Sequence, residues 1–195
     1  MYNPKWNIDT AELNSVMDII KDIDYTPKNP LEFLHLDPDN FKIIILGDNP
    51  YNDTCECRKH LRDTGYAFKV RSCGIVPNVV KNIRQELFNS IGVINDEFDF
   101  PGVLMLNTSL TVEKNKFHKN LWFGFLSKLL NALPQKTLFL IWGRQAEEFS
   151  FYISNSFTKL KSNPNIKKEF IGCNHFSKAR KITGLKFTSE LNFIV

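Results

Sequence analysis

The feature that most constrains the fold is an alternation. Short, continuous apolar runs ending on glycine or a polar residue are separated by stretches with helical periodicity. Residues 41–46 (FKIIIL) stop at Gly47, residues 102–107 (GVLMLN) end in a polar Thr-Ser segment, and residues 137–142 (TLFLIW) stop at Gly143. Apolar runs without polar alternation suit strands buried on both faces, as in parallel sheets. Residues 168–173, running into Asn174-His175, give a fourth candidate strand. Asp9-Thr10 precedes a helical pattern with Leu13, Val16, Met17 and Ile20 on one face, and Pro77-Asn78 opens a helix with Val79, Ile83 and Leu87 on one face. Residues 121–133 and 144–157 read as helices, and 54–63 as a short charged one. The pattern predicts a three-layer α/β/α architecture with a central parallel four-stranded sheet. With 195 residues and no internal repeat or linker, residues 1–195 are read as a single domain.

Charge and cysteine usage narrow the class of function. Lys and Arg exceed Asp and Glu by 25 to 21, a net charge of +4 that permits a polyanionic partner without requiring one. The four cysteines (Cys55, Cys57, Cys73, Cys173) show no C-x-x-C spacing and are too few for a disulfide framework in a chain of this length. Cys55 and Cys57 would chelate a metal only if His60 or distant groups joined them, so no metal is expected. The N-terminus lacks the apolar core of a signal peptide, and no apolar run approaches the ~20 residues that span a bilayer. The expectation is a cytoplasmic protein with reduced thiols and no membrane partner.

In open parallel sheets the ligand site lies outside the carboxyl ends of the strands. That rule selects the loops beginning at Gly47, Asn107, Gly143 and Asn174, two of which carry chemically versatile residues: Asp48-Asn49-Pro50-Tyr51 and Asn174-His175.

These loops resemble the family-1 enzymes of the uracil-DNA glycosylase superfamily. FKIIILGDNPYN is similar to the strand and water-activating loop, where the family reads Gly-Gln-Asp-Pro-Tyr-His. GYAFKV resembles the segment bearing the uracil-stacking Phe, and GIVPNVVKNIRQEL the proline-rich backbone-binding loop with its following helix. GVLMLNTSLTVEKNKFH looks like the strand carrying the uracil-reading Asn, and LFLIWGRQA like another family strand. The resemblance covers roughly residues 30–185 and implies a uracil-DNA-glycosylase-like fold, no cofactor and a monomer. It further implies that Phe68 stacks on a flipped base, Asn107 reads its Watson–Crick edge, Tyr51 blocks the methyl group of thymine, and Asp48 borders the base pocket. HFSKAR resembles the start of the DNA-intercalation loop, which would make His175 the donor to the developing uracil oxyanion. A second register stays open, in which Gly172–Lys178 matches a segment following that loop, the intercalation loop is missing and His175 is not catalytic; in either register the leucine wedge is absent. The first is favoured because the preceding apolar stretch would make a leading strand.

The departures from the family pattern bear on activity. The catalytic Asp is replaced by Asn49, which orients water but cannot usefully accept its proton; general-base help is typically worth roughly 10²–10⁴-fold. The spacing from Gly47 to Phe68 exceeds the family's, an insertion containing Cys55 and Cys57. The backbone-gripping Pro-Pro-Ser becomes Val76-Pro77-Asn78, and the Ser-His pair becomes Phe117-His118. In the favoured register the intercalating Leu is Ala179. The expectation is a catalytically inactive pseudo-enzyme. It would bind a DNA-mimicking glycosylase-inhibitor protein, and DNA weakly, through Pro77, Asn78, His118, Phe176, Lys178, Ala179 and Arg180. The alternative is a slow or retargeted glycosylase that uses Asn49 to position water.

Overall fold

The computed structural model describes residues 1–53, 63–70, 75–95, 98–113 and 116–187. Strand β1 (Ile43–Gly47) is buried along its whole length because helices cover both sides of it. It pairs in parallel with β2 (Val103–Asn107) on one edge and with β5 (Leu138–Trp142) on the other, and β6 (Thr158–Ser162) completes the order β2-β1-β5-β6. A two-stranded ribbon, β3 (Val112–Glu113) with β4 (Lys116–Phe117), follows β2.

Strand alternation divides the core. Ile44, Leu46, Leu104, Leu106, Phe139 and Ile141 face a cluster completed by α1 (Thr10–Ile20), α3 (Lys119–Asn131) and α4 (Arg144–Phe149). Ile43, Ile45, Met105, Leu138, Leu140 and Trp142 face the other cluster, built with α2 (Asn78–Ile91), α5 (Lys167–Phe170) and α6 (His175–Thr183). Three layers result, and α1 starts where Asp9 accepts the amide of Glu12, as an N-cap should.

Two expected elements are corrected. Residues 168–173 do not form a strand: Lys167–Phe170 is a helical turn whose Phe170 packs edge-on against Trp142 beneath the sheet. The fourth strand is instead β6, and the helix expected over 144–157 stops at Phe149 before a 3₁₀ turn, Ser150–Tyr152. Lys159 of β6 stabilises this reversal by donating to the carbonyls of Ser150 (3.0 Å) and Ile153 (2.6 Å). Residues 54–62, read as a charged helix with Cys55, Cys57 and His60, lie outside the described residues. Asp63 belongs to an isolated antiparallel bridge with Val70.

Candidate active site

Parallel register sets Gly47 at the end of β1 directly beside Asn107 at the end of β2. At this edge lies a cleft of about 140 Å³ lined by Asp48, Asn49, Tyr51, Phe68, Val79, Asn107, Trp142 and Asn165. Gly47 is required by close approach: a Cβ there would lie 2.9 Å from Cζ of Phe68 and 3.0 Å from Oδ1 of Asn107.

The loop after β1 is held by its backbone. Thr108 donates its amide to the Gly47 carbonyl at 2.9 Å; Ser109 N and Gln145 Nε2 donate to the Asp48 carbonyl at 3.1 and 2.9 Å. The Asp48 side chain is engaged in the structure, its Oδ1 accepting the amide of Ala146 (2.9 Å) in the first turn of α4. Burial raises its carboxyl above the ordinary range, partly opposed by the amides of Ala146, Gln145 and Arg144. Any side chain at Gly143 would collide with this carboxylate. Asp48 therefore joins the loop to α4.

Asn49 is arranged differently. Its Oδ1 is shielded from solvent and has no hydrogen-bond partner among the described residues. A buried acceptor left unmade costs about 1–3 kcal/mol. Phe68 adopts φ +61°, an uncommon conformation for a bulky residue, which lays its ring over Gly47 and 5.7 Å from the Trp142 ring. Asn107, only 5% exposed, brings an amide able both to donate and to accept. Thus Asp48, Asn49, Tyr51, Phe68 and Asn107 all border one cleft.

The residues expected on the rim divide. Pro77 and Asn78 stand at the start of α2, one residue before cleft-lining Val79. Lys178 and Arg180 are exposed on α6. His175, Phe176 and Ala179 form the buried face of that helix rather than an exposed loop after a strand, as the first register expected. His175 is 3% exposed and does not line the cleft; its Nδ1 accepts from the Trp142 indole at 2.9 Å, placing its proton on Nε2. Burial, aided by Lys178, lowers its pKa to about 4. His118 is likewise buried, rather than exposed as a rim residue would be. Trp122 donates to Thr111 Oγ1 (2.7 Å), Thr111 donates to His118 Nδ1 (2.8 Å), and His118 Nε2 donates to Glu113 (2.8 Å). Of the two neighbouring residues only Phe117 is exposed.

Three residues escaped the sequence reading. Asn165 lines the cleft from the loop after β6, where Asn163 closes an Asx turn and Asn82 of α2 donates to the Pro164 carbonyl at 2.8 Å. Beside it Ile166 is a 44% exposed aliphatic side chain. The run Asn163-Pro164-Asn165 is a turn signal, but it is read as one only when the preceding residues 158–162 are recognised as a strand, and their sequence pattern does not mark them as such. Asp63 is the third: its carboxylate accepts the amide of Tyr51.

No family model matches the chain. Among curated proteins it is 33% identical over 177 residues to a uracil-DNA glycosylase of Coxiella burnetii, covering 81% of this chain and 75% of that protein. It is 32% identical over 155 residues to the uracil-DNA glycosylase of Pasteurella multocida, covering 70% and 67%. Among solved structures it resembles a mimivirus UNG variant in complex with UGI (TM-score 0.75, 19% identity, 93% of this chain and 84% of that one). It also resembles UNG from Nitratifractor salsuginis (TM-score 0.67, 16% identity, 94% and 92%). Similarity of sequence over most of both chains, on the same three-layer fold, places this chain in the uracil-DNA glycosylase family.

Proposed function

We propose that the chain is an attenuated uracil-DNA glycosylase, one that binds a flipped base in the cleft and hydrolyses its glycosidic bond slowly. The observation that carries this reading is the convergence of Asn49, Tyr51, Phe68 and Asn107 on one cleft. Phe68 supplies the stacking face, Asn107 pairs with the base edge, and Tyr51 limits the space beside it. As the C1′–N1 bond breaks, its electrons pass to the base and leave an oxocarbenium-like sugar. A turn of the Asn49 side chain brings its amide oxygen to the attacking water, which it aims by accepting a hydrogen bond. Being an amide, it takes no proton, which passes to solvent after attack. His175 is turned to Trp142 rather than to the cleft, so the departing base gains no imidazole donor there. Two missing contributions argue for a slow enzyme.

The test is release of free uracil from a single-stranded uracil oligonucleotide, with Asn49→Asp beside the native chain. Native turnover is expected roughly 10²–10⁴-fold below a competent family member. Turnover within tenfold of such a member contradicts attenuation. No release from the native chain sinks the reading.

A second reading is a pseudo-enzyme whose cleft face binds a DNA-mimicking inhibitor and so acts as a decoy. The mimivirus protein in complex with UGI shares the fold over 93% of this chain, which favours testing it. Calorimetry with such inhibitors at micromolar concentration is the measurement, and no association with several of them removes the decoy.

A further inference from the structure

Two walls of the cleft come from separate segments: the loop after β1, ending at Tyr51, and residues 63–70, which present Phe68. The chain between them is long, and a cleft whose walls can drift apart does not measure what enters it. Among the described residues, the side chain of Asp63 joins them. Asp63, 4% exposed, accepts the Tyr51 amide on Oδ2 at 2.9 Å and the Gly65 amide on Oδ1 at 2.6 Å. Charge-assisted bonds of this kind are short and strong, and the two carboxylate oxygens are rigidly related.

Asp63 is itself well anchored. It bridges Val70 in antiparallel fashion, Thr64 Oγ1 donates to the Lys69 carbonyl at 3.1 Å, and the buried Ala67 donates its amide to Met105 of β2 at 3.3 Å. Residues 63–70 are therefore a closed loop fixed to the sheet, with Phe68 at φ +61° near its tip. We propose that Asp63 is a positioning residue that fixes the gap between Tyr51 and Phe68, and through it the discrimination between uracil and its 5-methyl analogue, thymine. It touches neither base nor sugar; it acts through the Tyr51 backbone. The functional half of this proposal rests on the base-binding reading above.

The control is built into the fold. Glu86 of α2, also fully buried, accepts the amides of Gly172 (2.6 Å) and Asn174 (2.8 Å), the same pattern away from the cleft. Asp63→Ala, Asp63→Asn and Glu86→Gln would be compared in the full chain. The readouts are the melting temperature, the preference for uracil over thymine in single-stranded oligonucleotides, and amide hydrogen exchange.

Asp63→Ala is expected to reduce the preference roughly tenfold or more, since charged hydrogen bonds to the wall are lost, with Asp63→Asn intermediate. Glu86→Gln should lower the melting temperature and leave the preference unchanged. Exchange at Tyr51 and Gly65 should accelerate together in Asp63→Ala. An unchanged preference in Asp63→Ala, with a native chain that does discriminate, overturns the specificity role. Protection at Tyr51 that survives Asp63→Ala overturns the clamp, whatever the chain does to DNA. A native chain that neither releases nor prefers uracil sinks the base-binding reading, and the functional half of this proposal with it; the exchange arm still decides the clamp.

Discussion

The indole of Trp142 donates to Nδ1 of His175 across 2.9 Å, with the two rings nearly parallel at 18°. One partner lines the cleft and the other is enclosed by the core, so the bond ties the floor of the site to α6. It requires a neutral imidazole. Burial holds the His175 pKa at about 4, below its ordinary 6.5, so the unfolded chain takes up this proton first as pH falls. The stability linked to His175 is then complete above pH 6.5 and is lost progressively toward pH 4, on the order of 3 kcal/mol in total. Urea unfolding at pH 7, 5.5 and 4.5 measures it. His175→Gln should remove this part of the pH dependence, and a variant with the native slope would show that another group is responsible.

Gly47→Ala tests how closely Phe68 and Asn107 meet. The added methyl would lie 2.9 Å from the Phe68 ring and 3.0 Å from Asn107 Oδ1, so the ring must move. Overpacking typically costs about 1–3 kcal/mol. Uracil-containing DNA should lose affinity by roughly tenfold or more, because the displaced groups are those proposed to stack on and read the base. Unchanged affinity in a folded Gly47→Ala variant would mean that the base does not sit on Phe68.

How much was legible in sequence follows from where each residue's neighbours come from. The strands β1, β2 and β5 are continuous apolar runs because both faces are covered, and their burial is written into residue type alone. Asn49, Tyr51, Phe68 and Asn107 converge because parallel strands deliver their carboxyl ends to one edge. The edge strand β6 is only partly covered and carries Thr, Lys and Ser, so its pattern resembles a solvated helix end. With 158–162 unmarked, the sequence puts the fourth strand at 168–173 and the last loop at 174–179, one loop too late. The burial of His175, Phe176 and Ala179 depends on packing against α2 and the sheet, elements far away in sequence. Asp63 was legible only as a charge.

The last prediction concerns Ile166. It is an exposed aliphatic side chain, and it adjoins Asn165 at the cleft. The loop carrying it is braced by the Asn82–Pro164 bond to α2 and by the Ile166 amide donating to the Asn163 carbonyl at 2.9 Å. An aliphatic group so placed suits filling the gap left when a base leaves a duplex, a step that costs a few kcal/mol of unstacking. A single strand has no such gap. Ile166→Ala is therefore expected to weaken action on, or binding to, uracil in duplex DNA by roughly tenfold, while single-stranded DNA is nearly unaffected. If duplex binding draws on phosphate contacts by the exposed Lys178 and Arg180, which the substitution leaves in place, its salt dependence should keep its slope. Measuring both substrates over a salt series separates the possibilities. Equal losses on single and double strands would make Ile166 a general contact, and no loss on either would leave the duplex without a wedge from this loop.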